Sequence, residues 1–173
     1  MKISKPLPGE YAEFYAGYVN RVINDDVMAV LCDQPRELRA LLGDVNDHAA
    51  QTRPDEDEWS INEVMGHLND GERIFAYRAL RIARGDLTPL ASFDQDAYIL
   101  PGKFNTRSLA SLLDEFESAR NATLTLVNAL DDDMLSRVGT ASQNAISARA
   151  LVYIMAGHVH HHMESLKNVY LRR

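Results

Sequence analysis

The chain is 173 residues long, 46% hydrophobic, and carries a formal net charge of -7. That much apolar material suffices for one globular domain spanning 1–173, and with no run near 18 apolar residues no transmembrane helix is expected. The acidic balance, with no basic run longer than the terminal Arg172-Arg173, argues against a nucleic-acid partner, because phosphates need a positive face.

The opening MKISKPLPGEYAEF has no apolar stretch of secretory type, and the single cysteine, Cys32, cannot form an internal disulfide. Both point to a cytoplasmic protein. Cys32 falls in an apolar-periodic stretch and is expected to be buried filler rather than a nucleophile.

Four segments carry helical periodicity and none shows sustained period-two alternation. The first runs from about Tyr11 to Leu42, with Phe14, Tyr18, Val22, Val27, Leu31, Gln34, Leu38 and Leu41 along one stripe. Pro35 should break or kink it, since proline lacks the backbone donor and crowds the preceding turn. The second begins at Ser60, where Ser60 and Glu63 form an S-x-x-E capping box, and ends near Gly85. Ile61, Val64, Leu68, Gly71, Phe75 and Ile82 make its stripe.

About twenty residues then follow without clear helical pattern, GDLTPLASFDQDAYILPGKF. Antiparallel neighbours need only about 2–8 linking residues, so this length implies a crossover or a functional loop. The third helix starts near Thr106 or Ser108 and carries Leu109, Leu112, Leu113, Phe116, Thr123, Leu126 and Leu130. From Asp131 to Ile146 a helical turn followed by a loop is expected. The fourth helix starts at about Ser147 and carries Leu151, Ile154, Met155, His158, His162, Ser165 and Val169. The predicted fold is an all-α four-helix bundle with a long crossover between helices two and three, not a simple up-down-up-down winding.

The chemistry is concentrated in the histidines. Residues four apart on a helix lie within about 40° of each other and roughly 6 Å apart along the axis, so His158 and His162 can converge on one ion. Such a pair also arises by chance and can be satisfied by hydrogen bonds. His67, beside the stripe of helix two, changes the balance: antiparallel packing of helices two and four would bring all three to similar height. Burying three uncompensated imidazoles is costly, whereas a cation uses their lone pairs. His160 should face solvent. His161 flanks the stripe and is a weak candidate to support a ligand or substrate, or is simply half-exposed.

Glycine inside a helix costs roughly 1 kcal/mol against alanine, so Gly66, Gly71 and Gly157 call for a reason. Bare backbone beside each histidine would let the helices approach and the imidazoles meet. Three neutral imidazoles suit Zn²⁺ or Ni²⁺, with Fe²⁺ or Mn²⁺ as alternatives. A structural zinc site wants four protein ligands; with three, a position stays open for water or substrate. The H-E-x-x-H protease motif does not fit, because Val159 stands where the basic glutamate would be. Asp70, one turn after His67, and Glu72 or Glu164 are the candidate outer carboxylates, though each reads more readily as a surface charge or salt-bridge partner.

Taken together, these residues resemble the DinB/YfiT-like superfamily of metal-dependent enzymes. The matching features are Trp59-Ser60 opening a helix, Gly66-His67-Leu68 with Asp70-x-Glu72-Arg73, Phe93-Asp94-Gln95-Asp96-Ala97-Tyr98 in the crossover, Arg107-Ser108-Leu109, and Gly157-His158 with His161-His162. The resemblance covers roughly residues 25–170. It implies a homodimeric four-helix bundle whose three-histidine site binds Zn²⁺, Ni²⁺ or a similar ion, with His67, His158 and His162 at the matching positions. Characterised relatives include thiol S-transferases and a thiol-dependent maleylpyruvate isomerase. Relatives often carry an acidic residue where this chain has Val159.

Three functions follow as expectations. The first is a metal-dependent S-transferase joining a small-molecule thiol to a small electrophile, with Asp94, Asp96 or Tyr98 over the mouth of the site; those loop residues could equally cap helices. The second is a hydrolase activating water at the metal. The third is a non-catalytic module whose metal staples the bundle, with His161 or His48 as a fourth ligand.

Overall fold

The computed structural model describes residues 2–24 and 26–171; the Arg172-Arg173 pair lies outside them. Four long helices, α2 (Val27–Leu42), α4 (Ile61–Ala83), α6 (Leu109–Asn128) and α8 (Ala148–Ser165), form the bundle. The shorter helices are α1 (Ala16–Arg21), α3 (Asp47–Gln51), α5 (Gln95–Gly102) and α7 (Asp132–Ser136). No helix among the described residues is long and apolar enough to cross a membrane.

Each long helix starts at a residue whose side chain accepts an otherwise orphaned backbone N–H: Asp26, Ser60, Ser108 and Ser147. At Ser60 the capping box with Glu63 is complete, and Arg53 holds the Glu63 carboxylate from outside with two 2.8 Å bonds.

The winding departs from nearest-neighbour order. Helices α4 and α6 pack together, as do α4 and α8, α2 and α6, and α2 and α8, so α2 lies across the bundle diagonal from α4 and α6 across it from α8, while α4 and α6 are neighbours. Asn62 donates to the Arg107 carbonyl, Asn69 to the Leu112 carbonyl, and Arg120 pairs with Glu72; α4 and α6 therefore run parallel. Parallel neighbours need a return path, which is the expected crossover. It begins beyond Gly85, folds into α5 capped by Asp94, and is pinned to the start of α4 by Asn62 and by Ser60, which donates to Asn105.

A polar layer divides the core. One apolar cluster holds Val27, Leu31, Phe75, Ile82, Val127 and the first half of α8; the other holds Leu38, Ile61, Met65, Leu68, Leu112, Phe116, Val159 and Met163. Between them each long helix supplies a buried polar residue: Gln34, Glu72, Arg120 and His158. Helix α8 is buried almost all round through Val159, as expected for a central helix with partners on several sides.

Five expectations need correction. The first segment is not one helix kinked at Pro35. Helix α1 ends at its cap Val22, Asp26 caps a new helix, and Pro35 sits inside α2. The proline cannot donate to the Leu31 carbonyl, and Arg120 Nη1 does so instead at 3.0 Å. Before the break Tyr15 and Val19 are buried in place of the expected Phe14 and Tyr18, with Phe14 exposed, while Val22 is buried as expected. Cys32 is exposed, because it turns away from the Leu31–Gln34–Leu38 stripe. Val169, at the far end of the last helix, is also exposed.

The segment after α7 is the fifth correction: a β-hairpin, β1 (Val138–Ala141) with β2 (Asn144–Ser147), replaces the expected loop. Its two-residue turn, Ser142 and Gln143, has φ of 50° and 66°, the geometry that matches strand twist in tight hairpins. Neither residue is the glycine or asparagine that advertises such a turn, so the pattern was hidden.

Candidate metal centre

His67 lies on α4, about two turns from its start at Ser60, and His158 and His162 lie on α8. The helices run antiparallel here: His67 meets His162, and one turn later Gly71 meets His158. The three rings lie 4.7–4.8 Å apart between centroids. One nitrogen from each comes within 4.8 Å of the others, and His67 Nε2 and His158 Nε2 are 2.8 Å apart, sharing a hydrogen bond. Among the described residues this group has three members, all histidine.

Burial keeps the rings neutral. It is the largest cause in each case, pushing His67 down to about 4, His162 to about 3, and His158 well below the ordinary histidine value. Mutual repulsion among the imidazoles adds to it. At neutral pH each ring is therefore in the neutral form a metal requires, with one lone pair apiece, and an ion would take the place of the His67–His158 hydrogen bond. Zn–N bonds of about 2.0–2.1 Å in tetrahedral geometry separate ligand nitrogens by roughly 3.3 Å, and the spacings here bracket that value. The donor set fits a divalent transition ion.

The glycines have distinct jobs. A Cβ on Gly71 would sit 3.1 Å from His158 Cε1, so Gly71 makes room for a ligand ring. A Cβ on Gly157 would lie 1.9 Å from the Tyr18 carbonyl oxygen, so that glycine admits the backbone of α1. Gly66 does not serve a histidine: it accommodates the Phe104 ring of the crossover.

Aromatic rings hold the imidazoles from the sides. Trp59 is 5.1 Å from His67, Tyr18 is 5.4 Å from His158, and Phe75 is 5.6 Å from His158. Tyr170 donates from its hydroxyl to the Trp59 carbonyl, tying the last turn to this wall. Above the cluster lies a cavity of about 540 Å³ with His67 and His158 in its lining. Phe14, Tyr15, Tyr18, Phe75 and Phe93 supply most of its walls, with Arg78, Asp94, Gln95 and Ser142 as the polar contributors.

Other candidates fall elsewhere. Asp70 is half-buried and under the influence of Arg73 and Glu115, with its pKa raised by burial. Glu72 is buried in an ion pair with Arg120, and Glu164 is an exposed partner of Arg21. His161 packs on Tyr18 and His162 but stays outside the three-nitrogen group. His160 is only partly exposed, against Glu37 and Met163. His48 lines a separate hollow near Tyr170. Of the loop residues, Asp94 reaches the cavity wall while its side chain caps α5; Tyr98 lines a different hollow, and Asp96 is exposed.

Arg78 and Ser142 were missed. Ser142 gave no signal, as its place depends on the hidden hairpin turn. Arg78 did give one: it falls between Phe75 and Ile82 on the apolar stripe of α4, where a cation is out of place.

Comparison with known proteins agrees with this fold. No curated protein matches the chain. Among solved structures, YfiT from Bacillus subtilis, described as a probable metal-dependent hydrolase with an unusual four-helix bundle topology, superposes with a TM-score of 0.75 at 18% identity. The match covers 95% of this chain and 90% of that one. The family model of the DinB superfamily matches residues 31–166, which span all four long helices and all three clustered histidines, and the chain belongs to that superfamily.

Proposed function

We propose that this protein is a metal-dependent enzyme that transfers a small-molecule thiol to a small electrophile. His67, His158 and His162 would hold the ion, with Zn²⁺ or Ni²⁺ preferred by three neutral nitrogens over Fe²⁺ or Mn²⁺. When bound, such an ion would supply Lewis acidity at the cavity floor, lowering the pKa of a thiol there. The observation that carries the reading is the position of three neutral imidazoles beneath an aromatic-walled cavity.

The chain's own residues then bind and exclude. Phe75, Tyr15, Tyr18 and Phe93 favour an apolar body and keep bulk water away from the ligands. In the transfer a sulfur–carbon bond forms as the bond from that carbon to a halide or epoxide oxygen breaks. No side-chain base is needed once the thiol has lost its proton. The only carboxylate in the cavity lining, Asp94, has an oxygen committed to the α5 backbone, which favours thiol transfer over base-assisted hydrolysis.

Hydrolysis is the second reading, favoured by the description of YfiT as a probable metal-dependent hydrolase. A panel of small thiols against an aryl halide and an epoxide, run beside ester and amide substrates, separates the two. Thiol-dependent turnover that vanishes in a folded His158→Ala variant supports transfer. Thiol-independent cleavage with no thiol adduct would replace it with hydrolysis.

A further inference from the structure

Among the described residues two arginines are buried, and only one has a counter-ion. Arg120 is 0% exposed and makes a two-pronged pair with Glu72 at 2.8 Å on each arm. Arg78 is 2% exposed, yet among the described residues no carboxylate forms an ion pair with it. Its acceptors are neutral: Nη2 donates to the Ala91 carbonyl at 2.7 Å and to Ser142 Oγ at 3.1 Å. The rest of the fork is left to the Tyr15 hydroxyl, on which its charge acts, and to the cavity that Arg78 lines together with His67 and His158.

A guanidinium cannot shed its proton, so a buried one without an anion is costly. Here the surroundings fix it rather than neutralise it. Phe93 lies 5.8 Å from its charge centre, and Ser142 is held in place by a left-handed hairpin turn. A cation positioned by neutral partners at the wall of a cavity is the arrangement of a receptor awaiting an anion.

We propose that Arg78 is the specificity residue of the cavity and binds a carboxylate on the substrate. Resting on the substrate-site reading given above, this narrows the substrate to small organic acids with an apolar or aromatic body. A monoanion fits better than a phosphate: the cavity lining holds one permanent cation, and Asp94 adds negative charge at its wall. The carboxylate sits on either the thiol or the electrophile.

The test compares 3-phenylpropanoate with its uncharged amide by calorimetric titration of the full chain, as purified and again after chelator dialysis. Arg78 predicts about tenfold tighter binding of the acid in both states. It also predicts that the preference disappears in Arg78→Gln and is weakened in Arg78→Lys, which keeps charge but loses the fork. Equal affinities in the parent chain overturn the proposal, as does a preference that survives Arg78→Gln. A preference lost on ion removal alone overturns it too, by assigning the carboxylate to the metal. If Arg78→Gln does not fold, Arg78→Lys and the parent-chain comparison still decide. Because binding is read without turnover, an inactive protein that discriminates acid from amide would sink the transferase reading and leave Arg78 standing. Where turnover exists, KM for acidic against neutral thiols, and for acidic against neutral electrophiles, shows which reactant carries the group.

Discussion

The neighbourhoods of Arg120 and Arg78 differ in how far the fold completes them. Around Arg120 every nitrogen is engaged: Glu72 takes Nε and Nη2, while Leu31 and Gln34 take Nη1. Gln34 passes its own donor to the Ala156 carbonyl at 2.7 Å. That network ties α2, α4, α6 and α8 together just beneath Gly157-His158. Around Arg78 and the histidines the reverse holds among the described residues, with a cation lacking an anion and imidazole lone pairs lacking a donor or cation beyond one shared hydrogen bond. One region spends its polar groups on structure; the other keeps them available to a ligand.

The contrast breaks most visibly by removing one side of each arrangement. Glu72→Ala should cost about 3–5 kcal/mol in urea unfolding, because it strands a buried guanidinium. Arg78→Gln, which strands no charge, should cost about 1 kcal/mol or less. Similar losses at both sites would erase the distinction. Within the closed region, Arg120→Met should also orphan the Leu31 carbonyl that Pro35 cannot serve, so Pro35→Ala should stabilise that variant more than the parent chain.

Gly157→Ala tests how tightly α1 closes the cavity wall. The added carbon meets the Tyr18 backbone, which cannot rotate away, and a net loss of about 1–3 kcal/mol is expected despite alanine's better helix propensity. Gly71→Ala presses only on a ring edge; its expected effect is weaker metal binding with little loss of stability.

The acid response sharpens the comparison further. In ion-free protein His67 sits at about 4 and His162 at about 3, against 6.5 unperturbed. As pH falls through 6.5 the unfolded chain takes up protons first, so stability held at neutral pH declines progressively toward those lower values. Denaturation midpoints at pH 7.5 and 5 would show it, and equal midpoints would mean the rings are not buried. The smallest expected effect is at Cys32: being exposed, it should react quickly with a thiol reagent, and Cys32→Ser should change stability by less than about 0.5 kcal/mol.

Much of this was legible in the residues. Serine caps, apolar stripes, a crossover too long for antiparallel neighbours, and i,i+4 histidines each express a local rule, and those features reappear in α4, α6 and α8. What escaped depended on distant partners. Pro35 looked like a helix breaker because the donor that rescues Leu31 comes from residue 120. Gly66 looked like a neighbour of histidine because Phe104 is far off in sequence. The hairpin was invisible because Ser142 and Gln143 adopt left-handed backbone without the usual turn residues. Arg78 and Arg120 were overlooked although both interrupt apolar stripes, since periodicity says that such a cation is buried but not what it meets.

The central claim, that three neutral imidazoles form one ion site, is tested most directly by titrating tag-free protein with Zn²⁺ and Ni²⁺ and measuring metal content after dialysis. One ion per chain is predicted, with binding abolished in folded His67→Ala and His158→Ala variants. Failure to retain stoichiometric ion, or retention unchanged when either histidine is removed, would contradict it.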